Sequence, residues 1–71
     1  MYIFNYREAI LDFDKAVKLR PNEINFLVDR FLCYRALAIV EPKNEKKYLK
    51  LVEGDEILIE VLKSFYLLRA R

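Results

Sequence analysis

The sequence predicts an all-α protein of three to four antiparallel helices, and three observations carry that prediction. The 71 residues hold one glycine, two prolines and no histidine or threonine, while alanine, leucine, glutamate, lysine and arginine dominate. That composition favours helices and leaves little from which to build turns or strands. Apolar residues recur at three- and four-residue intervals along most of the chain, which is helical spacing. Pro21, Pro42 and Gly54 then divide the pattern into helix-length pieces.

The first helix is expected from Asn5 to about Leu19. Asn5 can accept a bond from an orphan amide, and Glu8 stands where a capping box places its acid. Ala9, Phe13 and Ala16 share one stripe, so a second helix can come close at the alanines while Phe13 fills the gap between them. Asp12 with Lys15, and Asp14 with Lys18, make helical-spaced pairs on the wet side. Pro21 ends the helix because it pushes Arg20 out of the α region. Met1 to Phe4 is too short to form a helix of its own.

Asn22 is the expected cap of a second helix over about Glu23 to Val40. Ile24, Leu27, Val28, Phe31, Leu32, Tyr34, Leu37 and Ala38 give it a wide apolar face, as a central helix with several neighbours requires. Asp29, Arg30 and Arg35 mark its exposed side. Glu41-Pro42 stops it. Asn44 can cap a short third helix reaching about Glu53, where Gly54 supplies a C-terminal turn and Asp55 a new cap. The fourth helix is expected over about Glu56 to Ala70, packing through Leu58, Val61, Leu62, Phe65 and Leu68. Ile57, Ile59, Tyr66 and Leu67 spread beyond that stripe as surplus apolar surface.

The run Ala9, Phe13, Ala16 and Pro21 resembles the second helix of a tetratricopeptide repeat, whose signature ends in A-x3-F…P. Tyr6 stands where the family has an aromatic in the inter-helix turn, and Ile3 where its first helix ends. Phe4 replaces the family's glycine. In the next repeat Leu27, Tyr34 and Leu37 match apolar and aromatic positions, while Phe31 again replaces glycine. Lys43, Lys47 and Lys50 stand where Ala, Phe and Ala are expected. The resemblance implies one domain in three parts. Residues 1–22 would end a repeat whose first helix survives as the stump Met1 to Phe4. Residues 23–53 would form a degenerate repeat, and residues 54–71 a packing helix. It also implies an interaction scaffold built as a helical-hairpin stack or small bundle. Some family members clamp a partner's C-terminal carboxylate with lysine, asparagine and arginine. Asn25 and Arg30 alone are of suitable type here, so no complete clamp carries over.

The remaining composition excludes more than it assigns. A net charge of +2 with acids and bases interspersed argues against a nucleic-acid surface. No apolar run approaches the ~18 to 20 residues that span a bilayer, which argues against a membrane protein. No secretory leader is visible, and a single cysteine fits a reducing, cytoplasmic setting. Without histidine the commonest base and metal ligand is missing. Cys33 reads as a small core residue, and Glu56 with Glu60 as a solvated face. We expect no catalysis, no cofactor, no metal and no small-molecule substrate.

Lys43, Lys46, Lys47 and Lys50 form the candidate polar site, suited to an acidic peptide, phosphate or anionic surface. The simpler reading is a solvated face that keeps an apolar protein in solution. Hydrophobic residues make up 55% of the chain, more than so small a core can hide. The expectation is therefore a protein partner or a homo-oligomer, engaged through Ile3, Phe4 and Tyr6 at one end and Ile59, Tyr66 and Leu67 at the other.

Overall fold

The computed structural model describes residues 5–69. The chain forms α1 (Tyr6–Leu19), α2 (Ile24–Val40), a 3-10 turn (Pro42–Asn44) and α3 (Glu45–Arg69), with no strand among the described residues. The expected stump Met1 to Phe4, and the contacts assigned to Ile3 and Phe4, lie outside that range, as does the helix end at Ala70.

Local chemistry explains the boundaries. The Glu8 amide donates to Asn5 Oδ1 at 3.2 Å, capping α1. At the other end Arg20 takes φ −138°, the extended conformation that precedes proline, and its amide closes the helix on Ala16 O at 2.9 Å. Glu23, rather than Asn22, takes the cap position of α2. Asn22 stays in the turn, where its carbonyl accepts the Tyr66 hydroxyl at 2.7 Å. Glu41 repeats the pre-proline geometry at φ −126° and ends α2.

Two antiparallel pairings build the molecule, and α2 belongs to both. Arg7 meets Glu41 and Asp14 meets Arg30, which runs α1 against α2. Arg30 meets Asp55, and Tyr34 stacks on Tyr48 with ring centroids 6.4 Å apart, which runs α2 back along α3. The α1 and α3 backbones do not approach each other closely. Ile10, Leu37, Ala38 and Tyr48 form the core where the three elements meet, edged by half-buried Tyr6, Cys33 and Tyr34. Leu27, Val52 and Ile59 extend it towards the opposite end of α2.

α3 departs from the sequence expectation in two ways. The break at Gly54-Asp55 does not occur, and the expected third and fourth helices are one helix of 25 residues. Gly54 has no positive φ. The Asp55 carboxylate, which would have capped a new helix, is taken up by Arg30 instead. The inward face is also different. Tyr48, Val52, Asp55 and Ile59 are buried at spacings of four, three and four residues, with Leu62 half-buried behind them. Leu58, Val61, Phe65 and Leu68, the expected packing stripe, face outward. The anchoring of Asp55 by Arg30 and of Tyr66 by the Asn22 carbonyl sets this rotation. Ile59 is thereby removed from the surface to which the sequence assigned it.

Two further corrections concern charge and packing. Arg30, expected on the exposed side of α2, lies inside, and Asp14 pairs with it rather than with Lys18. On α1 the deepest residue is Ile10, while Ala9, Phe13 and Ala16 are half-buried beside it.

A glycine inside a helix costs about 0.5–1 kcal/mol relative to alanine. A Cβ at Gly54 would meet nothing within 4 Å. Gly54→Ala should therefore raise the unfolding free energy by that amount, read from urea melts at low micromolar chain. A loss of stability would show that α3 needs flexibility at this point.

Candidate functional site

Among the described residues no group of three or more His, Cys, Asp or Glu side chains could hold a metal ion. Burial, the largest influence, and then the charge of Asp29 raise the pKa of the Cys33 thiol, away from the thiolate a nucleophile needs. What the fold presents is two ion-paired joints and three surface features.

The first joint ties the ends of α1 and α2. The Glu41 carboxylate accepts from Arg7 Nε at 2.8 Å and from Arg7 Nη2, from Asn44 Nδ2 at 3.2 Å, and from the Tyr48 hydroxyl at 3.4 Å. The bond from Arg7 is the main reason the Glu41 carboxyl is held down to about 2. A carboxyl depressed in this way adds stability that is fully present above the ordinary glutamate range and is lost as pH falls towards 2. The chain should lose stability between about pH 4.5 and 2, and the Glu41→Gln variant should lose less over that window. Identical acid titrations of the two proteins, followed by circular dichroism, would show that the pair contributes nothing.

The second joint is central. The Arg30 guanidinium donates to both carboxylate oxygens of Asp55, at 2.9 and 2.6 Å, and to Asp14 Oδ1 at 2.8 Å. Its side chain is 16% exposed and that of Asp55 5%. It also lies 6.0 Å from the Tyr34 ring centroid. These bonds raise the Arg30 pKa further above its ordinary value, the Asp55 hydrogen bonds contributing most. One side chain of α2 therefore links all three helices. Three of its five N–H donors are engaged in doing so, and its side chain is only 16% exposed, which leaves it poorly placed for a carboxylate clamp.

Lys43, Lys46, Lys47 and Lys50 are all exposed. Lys46, Lys47 and Lys50 surround a shallow concavity floored by Leu51. Lys47 lies 5.7 Å from the Tyr48 ring centroid, which holds one lysine against the surface. A second shallow groove runs between α1 and α2, lined by Ala9, Phe13, Leu32 and Cys33.

The outward side of α3 is the largest feature. Leu51, Leu58, Val61, Phe65 and Leu68 are exposed, Val61 by 60% and Leu68 by 70%. Their spacing is seven, three, four and three, and Gly54 fills the missing position between Leu51 and Leu58. This is the a/d repeat of a coiled-coil seam. Ile57 flanks it, and no charged residue falls on it between Leu51 and Leu68. Val61, Leu62, Phe65, Tyr66 and Arg69 curve around the Asn22 turn to form a small concavity at its end. Arg69 lies over the Phe65 ring at 5.6 Å.

Of the residues the sequence singled out, Lys46, Lys47 and Lys50 stay together at the start of α3, Lys43 lies in the 3-10 turn before it, and Leu67 is exposed on another side of that helix. Tyr66 is half spent on the Asn22 carbonyl, and Ile59 is buried. Sequence reasoning placed Arg30 on the exposed side of its helix, and read Leu58, Val61, Phe65 and Leu68 as an inward packing stripe without the extension to Leu51. The seam was legible as an unbroken seven-residue repeat once Gly54 is read as a helix position rather than a stop. Comparison of the chain with protein-family models, curated proteins and solved structures finds no match. No helix among the described residues is long and apolar enough to cross a membrane.

Proposed function

We propose that this chain is a non-catalytic protein–protein interaction module whose docking surface is the outward face of α3. The observation that carries this reading is the charge-free apolar seam from Leu51 to Leu68 on a helix whose adjoining face, through Val52, Asp55 and Ile59, is already packed. Soluble proteins seldom leave so continuous a stripe wet, and helix-in-groove recognition uses this spacing of anchors. The tetratricopeptide resemblance around Ala9, Phe13, Ala16 and Pro21 supports the same class, as does the lack of histidine. The lysines beside Leu51 serve as a solvated rim to that surface. The single cysteine fits a cytoplasmic setting.

Affinity capture with the chain and with its Val61→Glu variant tests the reading. Proteins retained by the parent should be lost by the variant, because a glutamate at the seam's centre must be desolvated on docking. Recovery of the same proteins with both chains would move the docking surface elsewhere.

A further inference from the structure

Resting on that reading, the seam has a fit to itself that identifies its occupant. We propose that the occupant is a second copy of this chain, with the two α3 helices antiparallel about a two-fold axis between Leu58 and Val61. In that register Leu51 faces Leu68 of the partner subunit, Leu58 faces Val61 of the partner subunit, and Phe65 faces Gly54 of the partner subunit. Each contact occurs twice, as an isologous interface requires.

The Gly54–Phe65 layer is the specific element. Phe65 is the bulkiest side chain on the seam, and Gly54 is the only glycine in the chain. Nothing stands within 4 Å of where a Cβ at Gly54 would be, so the space above it is open. The half-exposed Phe65 ring fills that space in the pair, a knob entering a hole. A glycine in mid-helix, which weakens the isolated chain, thereby acquires a purpose.

Area supports a copy as well. The seam spans about 26 Å of helix at 1.5 Å per residue. Six half-exposed side chains, from Leu51 through Ile57 to Leu68, present roughly 600 Å² of apolar surface, at the upper limit for a monomer's patch. Two such faces, if wholly covered, together bury at most about 1,200 Å², the lower bound for a specific, stable interface. Charge adds a signature. The seam carries no charged residue between Leu51 and Leu68, so its pairing is apolar and added salt should leave it unchanged or strengthen it.

Sedimentation equilibrium of the full chain from low to hundreds of micromolar, at low and high salt, provides the test. The expected result is a monomer–dimer equilibrium that does not weaken with salt. Val61→Glu should be monomeric throughout with unchanged helicity. Gly54→Leu should weaken dimerisation tenfold or more while melting no lower than the parent at low micromolar, since the monomer has room for the side chain. Phe65→Ala added to Gly54→Leu should recover much of that loss, because it removes the clashing ring.

A monomer at every concentration overturns the proposal. So does a dimer indifferent to Val61→Glu or Gly54→Leu, an assembly larger than a dimer, or association that falls as salt rises. A monomeric parent whose captured proteins are still lost on Val61→Glu would sink the self-pairing and leave the interaction module standing.

Discussion

Arg30→Met should lower the unfolding free energy by about 3 to 5 kcal/mol, the range seen when one partner of a buried ion pair is removed. Asp55 is the reason. Its side chain is 5% exposed, and both of its carboxylate oxygens are satisfied by Arg30. Without the guanidinium a charge remains inside with no partner. The contact to Asp14 adds little, since that side chain is 40% exposed and a wet ion pair is worth under ~1 kcal/mol. The variant Arg30→Met/Asp55→Leu should recover most of the loss, because buried ion pairs are often replaceable by apolar residues of similar size. Urea unfolding of the two variants gives the answer. A loss under about 1 kcal/mol for Arg30→Met would mean that water reaches Asp55 and the joint is not central.

Leu27→Ala should cost about 3 kcal/mol, within the range for deep leucine truncations. Leu27 is 1% exposed, the most fully enclosed large side chain among the described residues. It lies one helical turn before Arg30 on α2, so the cavity opens beside the ion-paired joint. Phe13→Ala, by contrast, should cost about 1 to 2 kcal/mol, less than a fully buried phenylalanine would. The Phe13 ring is half-buried and borders the open groove between α1 and α2. Melts of the two variants side by side would decide whether the core lies along Leu27 or along the Ala9–Phe13 stripe. A larger loss for Phe13→Ala would favour the stripe.

The outer boundaries of α1 and α2 were legible because they depend on short-range chemistry. Asn5 caps through its own side chain, and Pro21 and Pro42 restrict the residue before each of them. The all-helical class was legible from composition for the same reason. Gly54-Asp55 carries an equally local stop signal, yet the helix runs through it. A mid-helix glycine costs about 1 kcal/mol, while satisfying a buried carboxylate is worth more than that, so the distant arginine decides. The outward seam was hidden by the same misreading, since its seven-residue repeat is continuous only when Gly54 counts as a helix position.

The sequence by itself determined that this chain is all helical, where its first two helices begin and end, and that it carries more apolar surface than one small core absorbs. It also determined that the chain holds no histidine. The tertiary structure decided which way each helix turns. Leu58 and Ile59 are adjacent, both apolar and both compatible with a helix, and nothing local ranks one as inward. Arg30 of α2 taking Asp55, and the Asn22 carbonyl taking Tyr66, rotate α3 so that Ile59 is buried and Leu58 is not. Helix rotation is set by partners distant in sequence, because an apolar arc wider than one contact leaves hydrophobicity indifferent to the choice.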